Sequence, residues 1–174
     1  MVHLTRIYTR TGDLGQTRLA DMSVASKTSA RVEAYGAVDE ANAAIGVLAA
    51  QPGIPEEVAL VLARVQNGLF DLGADLATPL PQERETVRIR AEQVERLEHW
   101  IDEFNDALPD LESFALPGGT PNAAFAHVAR TVARRAERRA WALDLEEPGS
   151  VNPDALRYLN RLSDLLFTLA RVLA

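Results

Sequence analysis

Between residues 55 and 77 apolar side chains return every three or four positions, at Val58, Val61, Leu62, Val65, Leu69, Leu72 and Leu76. That spacing lines them along one stripe of an α-helix, which has to be covered by other elements to leave water. The period recurs in four more segments. Residues 29–50, "SARVEAYGAVDEANAAIGVLAA", predict a helix closed by "QPGIP". A third helix over 90–108 carries Val94, Leu97, Ile101 and Phe104, a fourth covers 122–143, and a fifth covers 153–173. At the start of the fifth, Asn152 can cap and Pro153 can take the first helical position. Aromatic residues are only 6% of the chain, while alanine and leucine dominate, which favours helix over sheet. Five helices on short connections in 174 residues predict an all-α fold, a five-helix antiparallel bundle in one domain spanning 1–174.

Two helices call for particular neighbours. In the first, Ala34, Gly36, Ala37, Ala43, Ala44 and Gly46 would let another helix approach closely. In the fifth, Leu159, Leu162, Leu165, Leu166, Leu169, Val172 and Leu173 spread over more than a single stripe, so it is covered on several sides. Either it is the central helix of the chain or its second side meets another subunit.

Composition excludes several chemistries. There is no cysteine, so disulfides and thiolate sites are out, and a reducing cytoplasm is the expected location. The net charge of −7 argues against nucleic acid, and the chain shows neither a signal-peptide core nor an apolar run long enough to span a membrane. His3, His99 and His127 are scattered, and neither helical histidine follows a glutamate three residues earlier, so the di-iron carboxylate arrangement is missing. No Gly-x-Ser-x-Gly offers an acyl-transfer nucleophile.

What remains is concentrated positive charge. Five arginines fall within "RTVARRAERR", residues 130–139. Arg130, Arg134 and Arg138 stand at i, i+4 and i+8 on one helical face, with His127 and Glu137 near the same sector. Phe125, Val128, Val132, Ala136 and Leu143 make the opposite face, suited to the core. A solvated face with intrahelical Arg–Glu pairs is one reading. The other is a polyphosphate site, since three aligned guanidiniums repel each other until an anion lies beside them.

The N-terminal "IYTRTGDLGQT" (7–17) has the matching character. Gly12 and Gly15 allow backbone N–H groups to approach a phosphate, Thr9, Thr11 and Thr17 bring hydroxyls, and Arg10, Arg18 and Lys27 bring charge. It is no Walker A loop, because no Gly-Lys-Ser/Thr ends it, and a polar turn before a hairpin would read the same way. Asn160, Ser163 and Asp164 interrupt the last apolar helix and need partners or a ligand if buried. Asp39 raises the same question, and an arginine of the fourth helix could answer it.

Taken together and in order, "IYTRTGDLGQT", "AVDEANAAIG", "FALPGG", "ARTVARRAERR" and "LNRLSDLLFTLAR" resemble the PduO-type ATP:cob(I)alamin adenosyltransferases over residues 7–171. The resemblance implies a ferritin-like homotrimer of five-helix bundles with active sites at subunit interfaces, the 1–28 segment binding ATP and 29–174 forming the bundle. It implies transfer of the 5′-deoxyadenosyl group of ATP to the cobalt of cob(I)alamin, with release of triphosphate and with Mg²⁺ carried by the ATP. By motif, the ATP site would comprise Thr9, Arg10, Thr11, Gly12, Thr17, Arg18, Lys27, Arg134, Arg135, Glu137, Arg138 and Asn160. The residues acting on the reaction would be Phe114, Asp39, Arg130 and Arg134: Phe114 lies against the corrin, and Asp39 with Arg130 forms a salt bridge between subunits. Arg10 stands where many members have lysine. A cobalamin reductase and an adenosylcobalamin-dependent mutase are the protein partners such an enzyme implies. A helical ATP-dependent phosphotransferase and a non-catalytic carrier of cobalamin or nucleotide are the alternatives.

Overall fold

The computed structural model describes residues 7–83, 85–113 and 115–174. Five helices carry the chain: α1 (Ala30–Ala49), α2 (Glu56–Leu76), α3 (Ala91–Asn105), α4 (Pro121–Glu146) and α5 (Pro153–Val172). Two short antiparallel strands, β1 (Gln16–Arg18) and β2 (Val24–Ser26), precede them, with Thr17 opposite Ala25. The hairpin reading of the N-terminal segment is therefore realised beside the helical bundle. Helix α4 begins one residue before the expected 122 because Thr120 caps it, its hydroxyl accepting from Ala123 N at 3.1 Å, and Pro121 takes the first position. Helix α3 ends at Asn105, short of 108, where Pro109 disfavours helical backbone in the residue before it.

Each helix runs opposite to the one before it, and side-chain contacts fix the neighbours. Helix α1 packs on α2 and α4, α4 on α5, and α5 on α3. Asn42 and Gln66 donate reciprocally to each other's backbone carbonyls across α1–α2, at 3.2 and 3.3 Å. Arg161 Nε donates to Glu98 at 2.7 Å across α3–α5, two helices that run parallel. The order around the bundle is thus α2–α1–α4–α5–α3, and α2 and α3, the two ends of that series, face each other across a groove.

The α1–α4 seam is built from alanine. Ala126, Ala129, Ala133, Ala136 and Ala140 are fully covered on α4, opposite Ala34, Ala37 and Ala41 on α1. This corrects the expected core face of α4. Leu143 and Ala136 are buried as expected and Phe125 and Val132 half-buried, but Val128 is 54% exposed. Side chains this small let the two backbones come together, and Val128, about 160° round the helix from Ala126, lies outside the stripe they form. Of the two explanations for α5, the chain itself supplies the cover: Leu159, Leu162, Leu165, Leu166 and Leu169 are at 0% exposure within one subunit.

At the end of the bundle where α1 begins, polar clasps tie the connections down. The buried Asp75 carboxylate accepts from Arg88 Nη1 at 2.6 Å, Ile89 N at 2.7 Å and Asn152 Nδ2 at 2.7 Å. It holds the 77–90 connection to the start of α5. The buried Arg31 donates to Leu76 O at 2.6 Å, to Glu147 at 2.5 Å and to Ser150 at 2.6 Å. One residue on, Ala77 O accepts from Ala20 N at 3.1 Å, which docks the hairpin on the same end. Removing one partner from such a network strands the others without partners. Asp75→Ala is therefore expected to cost about 3–5 kcal/mol in urea denaturation; a loss below about 1 kcal/mol would contradict the clasp.

Candidate active site

The hairpin encloses a cavity of about 370 Å³ lined by Thr11, Gly12, Gln16, Thr17, Arg18 and Val24. Its walls depend on glycine at one point in particular. A Cβ on Gly12 would stand 3.0 Å from Lys27 Nζ and 3.2 Å from Gln16 O, so only glycine lets the lysine ammonium lie this close to the loop. Gly15 and the non-glycine Arg10 both take left-handed backbone, at φ 80° and 64°; for Arg10 that conformation is strained. Its guanidinium lies 5.6 Å from the centre of the Tyr8 ring, and the Thr9 and Thr11 hydroxyls are 2.9 Å apart. Lys27 N donates to Gly15 O at 2.9 Å, closing the loop. In the β1–β2 turn Asp21 accepts from Ser23 Oγ at 2.6 Å and Ser23 N at 2.9 Å, bonds that hold its carboxyl below the usual carboxylate range. Tyr35 of α1 reaches the Thr17 hydroxyl, and its burial raises the phenol above the ordinary tyrosine value.

Lys27 also opens onto a neighbouring cavity of about 450 Å³ between α1 and α4, where Glu33, Gly36, Glu40, Arg135 and Arg139 meet it. Arg135 pairs with Glu40, and Arg139 lies 3.8 Å from Glu33. An arginine of α4 was the expected partner for Asp39; within one chain the pairing falls on Glu33 and Glu40 instead. They sit about two helical turns apart on the face that looks at α4, whereas Asp39 is exposed and makes no ion pair among the described residues. Glu33, Glu40 and Arg139 are the residues here that motif reading passed over. Their signal was present as the i, i+7 spacing of the two glutamates on α1 and the i, i+4 spacing of Arg135 and Arg139 on α4.

Arg130, Arg134 and Arg138 occupy a different sector of α4, roughly 100° round from Arg135 when Arg134 is taken as reference. Arg130 Nε donates to Nδ1 of the buried His127 at 3.3 Å, and the His127 ring meets the edge of Phe167 on α5 at 6.2 Å. Thr120 Oγ1 donates to Leu173 O at 2.5 Å, so α4 and α5 run antiparallel and pair from their ends inward. Following that register, Arg134 stands level with the exposed Asn160. Arg138 turns back to Arg134 O at 3.4 Å, and Glu137 makes no ion pair among the described residues. The intrahelical Arg–Glu pairing expected of a merely solvated face does not form there.

The sequence-derived residues thus fall into two groups. Thr9, Arg10, Thr11, Gly12, Thr17, Arg18 and Lys27 gather at the hairpin, with Arg135 beside Lys27. Arg130, Arg134, Glu137, Arg138 and Asn160 share the α4–α5 face. Asp39 and Arg130 do not pair within one chain. Phe114 lies outside the described residues. Ser163, expected to need a partner, is buried and donates to Asn160 O at 3.0 Å, while Asp164 is exposed.

Residues 7–173 match the family model described as cobalamin adenosyltransferase. The chain belongs to the cobalamin adenosyltransferase family. Among its relatives is a corrinoid adenosyltransferase of Mycobacterium leprae, 53% identical over 98% of this chain and 92% of that protein. The corrinoid adenosyltransferase of Bacillus subtilis is 45% identical over 96% and 86%. The fold also matches the solved structure of a variant PduO-type ATP:corrinoid adenosyltransferase from Lactobacillus reuteri complexed with cobalamin and ATP, at a TM-score of 0.87 and 40% identity, covering 95% of this chain and 92% of that one.

Within this cobalamin adenosyltransferase family member, His127 gives a pH signature. Burial, and then the charge of Arg130, hold its pKa below the usual 6.5. As pH falls, the unfolded chain takes up the proton before the folded one, so stability is present above the ordinary histidine range and drains away below it. Melting temperatures between pH 7 and pH 5 should therefore fall more steeply in the wild type than in His127→Asn. Equal slopes would contradict a buried neutral His127.

Proposed function

We propose that this chain transfers the 5′-deoxyadenosyl group of ATP to the cobalt of cob(I)alamin, forming adenosylcobalamin and triphosphate. The observation that carries the reading is the α4–α5 face, where Arg130, Arg134 and Arg138 stand in a row without a carboxylate partner among the described residues, level with Asn160. Guanidinium groups so arranged suit a polyphosphate. The Lactobacillus reuteri relative, which is complexed with cobalamin and ATP, supports the same substrates.

The chemistry asks little of protein nucleophiles. Cobalt(I) supplies the electron pair that forms the Co–C5′ bond, the C5′–O5′ bond breaks, and its pair leaves with the triphosphate. The protein's task is to hold C5′ in line between the cobalt and the departing oxygen and to steady the charge that develops there. In this reading Thr9, Arg10, Thr11, Gly12, Thr17, Arg18 and Lys27 grip the nucleotide from the 1–28 arm. Arg134, Arg135, Glu137, Arg138 and Asn160 grip it from the helices, and Mg²⁺ arrives on the phosphates. Phe114 fills the lower face of the corrin and keeps water from the cobalt.

Two faces of one chain carry these groups, so a ligand touching both calls for a second copy. A homotrimer with Asp39 of one subunit paired to Arg130 of the next answers that need. Residues 1–174 would then act as one domain, in the cytoplasm, with Co(I) supplied by a cobalamin reductase and the product taken by a mutase. No described helix is long and apolar enough to cross a membrane.

Incubation with MgATP and chemically reduced cobalamin should give the spectrum of adenosylcobalamin together with triphosphate. Arg134→Ala should lower kcat/KM on the order of 10²- to 10³-fold. Release of ADP with no cobalt–carbon product would identify a phosphotransferase instead.

A further inference from the structure

On the far side of α5 from Asn160, the groove between α2 and α3 deepens into a cavity of about 200 Å³. Arg64 and Asp71 reach it from α2, Gln93, Arg96 and Trp100 from α3, and Tyr158 from α5. Its floor is unusual. Tyr158 is 3% exposed, and its phenol lies so close to α2 that a Cβ on Gly68 would stand 2.4 Å from the hydroxyl oxygen. A glycine at 68 is what lets that hydroxyl through to the cavity, where it makes no hydrogen bond to any described residue. Burial and the neighbouring Asp71 charge, opposed by Arg96, raise the phenol, so it stays protonated and is a donor. Neither Arg64 nor Arg96 makes an ion pair among the described residues, and the Gln93 amide oxygen is already used, accepting from Arg90 N at 3.0 Å, which leaves its NH₂ free.

The lining therefore offers the guanidiniums of the exposed Arg64 and Arg96, a phenol and the Gln93 amide as donors, against two acceptors, the exposed Asp71 carboxylate and the amide oxygen of Asn67, whose NH₂ already donates to Ala63 O at 2.8 Å. On a chain of net charge −7, this is a local excess of positive charge around the hydroxyl of an otherwise buried tyrosine, which opens into the cavity and has no hydrogen-bond partner among the described residues. At roughly 30 Å³ per water, the space holds about seven atoms of that size, too few for a nucleotide or a corrin. An oxyanion would take the guanidiniums and the phenol. Asp71 would repel a bare anion, but would accept from one bearing a hydroxyl.

We propose that this cavity is a second, small-ligand site for an oxyanion that also carries a hydrogen-bond donor, the chemistry shared by hydrogen phosphate and 2-hydroxy carboxylates. The site does not depend on the adenosyl-transfer reading, because its walls are α2, α3 and the opposite face of α5.

Trp100 lines the cavity and is one of two tryptophans, so the W141F variant turns its fluorescence into a direct reporter. Titration with sodium phosphate and with sodium lactate at matched ionic strength, with sodium sulfate as an oxyanion lacking a donor at neutral pH, distinguishes the two sources. A saturable change is expected with phosphate or lactate, its midpoint raised about tenfold or more by R64Q/R96Q. Y158F keeps the ring and removes only the hydroxyl, and should also weaken binding, with melting curves confirming that the variants fold. Absence of saturation with both ligands, or an unchanged midpoint in R64Q/R96Q, overturns the site. Sulfate binding as tightly as the others overturns the role given to Asp71.

Discussion

The close approach of α1 and α4 along their alanines governs the rest of the molecule. Where two helices meet through methyl groups, little else fits between them, and the arginines of α4 stand off that stripe. Arg130, Arg134 and Arg138 leave α4 on one side, Arg135 and Arg139 on another, and Val128 is turned to solvent. The charge that would be intolerable in the core is thereby sorted into two accessible sectors by the packing itself. One sector finds carboxylates on α1; the other finds none among the described residues and faces the α5 surface that bears Asn160.

The hairpin adds the second half of the proposed binding chemistry, and its placement follows from the clasps at its end of the bundle. Arg31 and Asp75 satisfy the chain ends of α2 and α5 with charge-assisted hydrogen bonds, and the hairpin docks on the carbonyl next in line. A loop rich in glycine and threonine, which would fray if left alone, is thus presented at a fixed position beside Lys27, Arg135 and Arg139. Tertiary hydrogen bonds, not strand pairing, set where it sits, since three-residue strands contribute little by themselves.

Much of this was legible in the order of residues. The 3.6-residue period located all five helices, because a stripe that must be buried leaves its mark at every turn; Val58 to Leu76 is the plainest case. Asn152–Pro153 announced a helix start through capping chemistry that is local and therefore readable. What failed to read was what depends on a neighbour. Val128 looks like core by hydrophobicity, and its exposure follows from alanines that score as indifferent. Asp39 and Glu40 are adjacent and chemically alike, and only the angle at which α1 meets α4 decides that Glu40 takes the intrachain arginine. The groove between α2 and α3 left no sequence trace at all, being a consequence of which helices close the series.

The proposal of two half-sites on separate faces of one subunit, each with the donors for part of a nucleotide, rests on their meeting when subunits associate. Mixing two defective chains tests it most directly. A hairpin variant, Thr11→Ala with Lys27→Ala, and an α4 variant, Arg134→Ala, would be dissociated, combined and reassembled, then assayed for adenosyl transfer from ATP to reduced cobalamin. Activity well above that of either parent alone is the expected result, because some interfaces would then join an intact hairpin to an intact α4. Mixed assemblies as inactive as their parents would contradict a site shared between subunits.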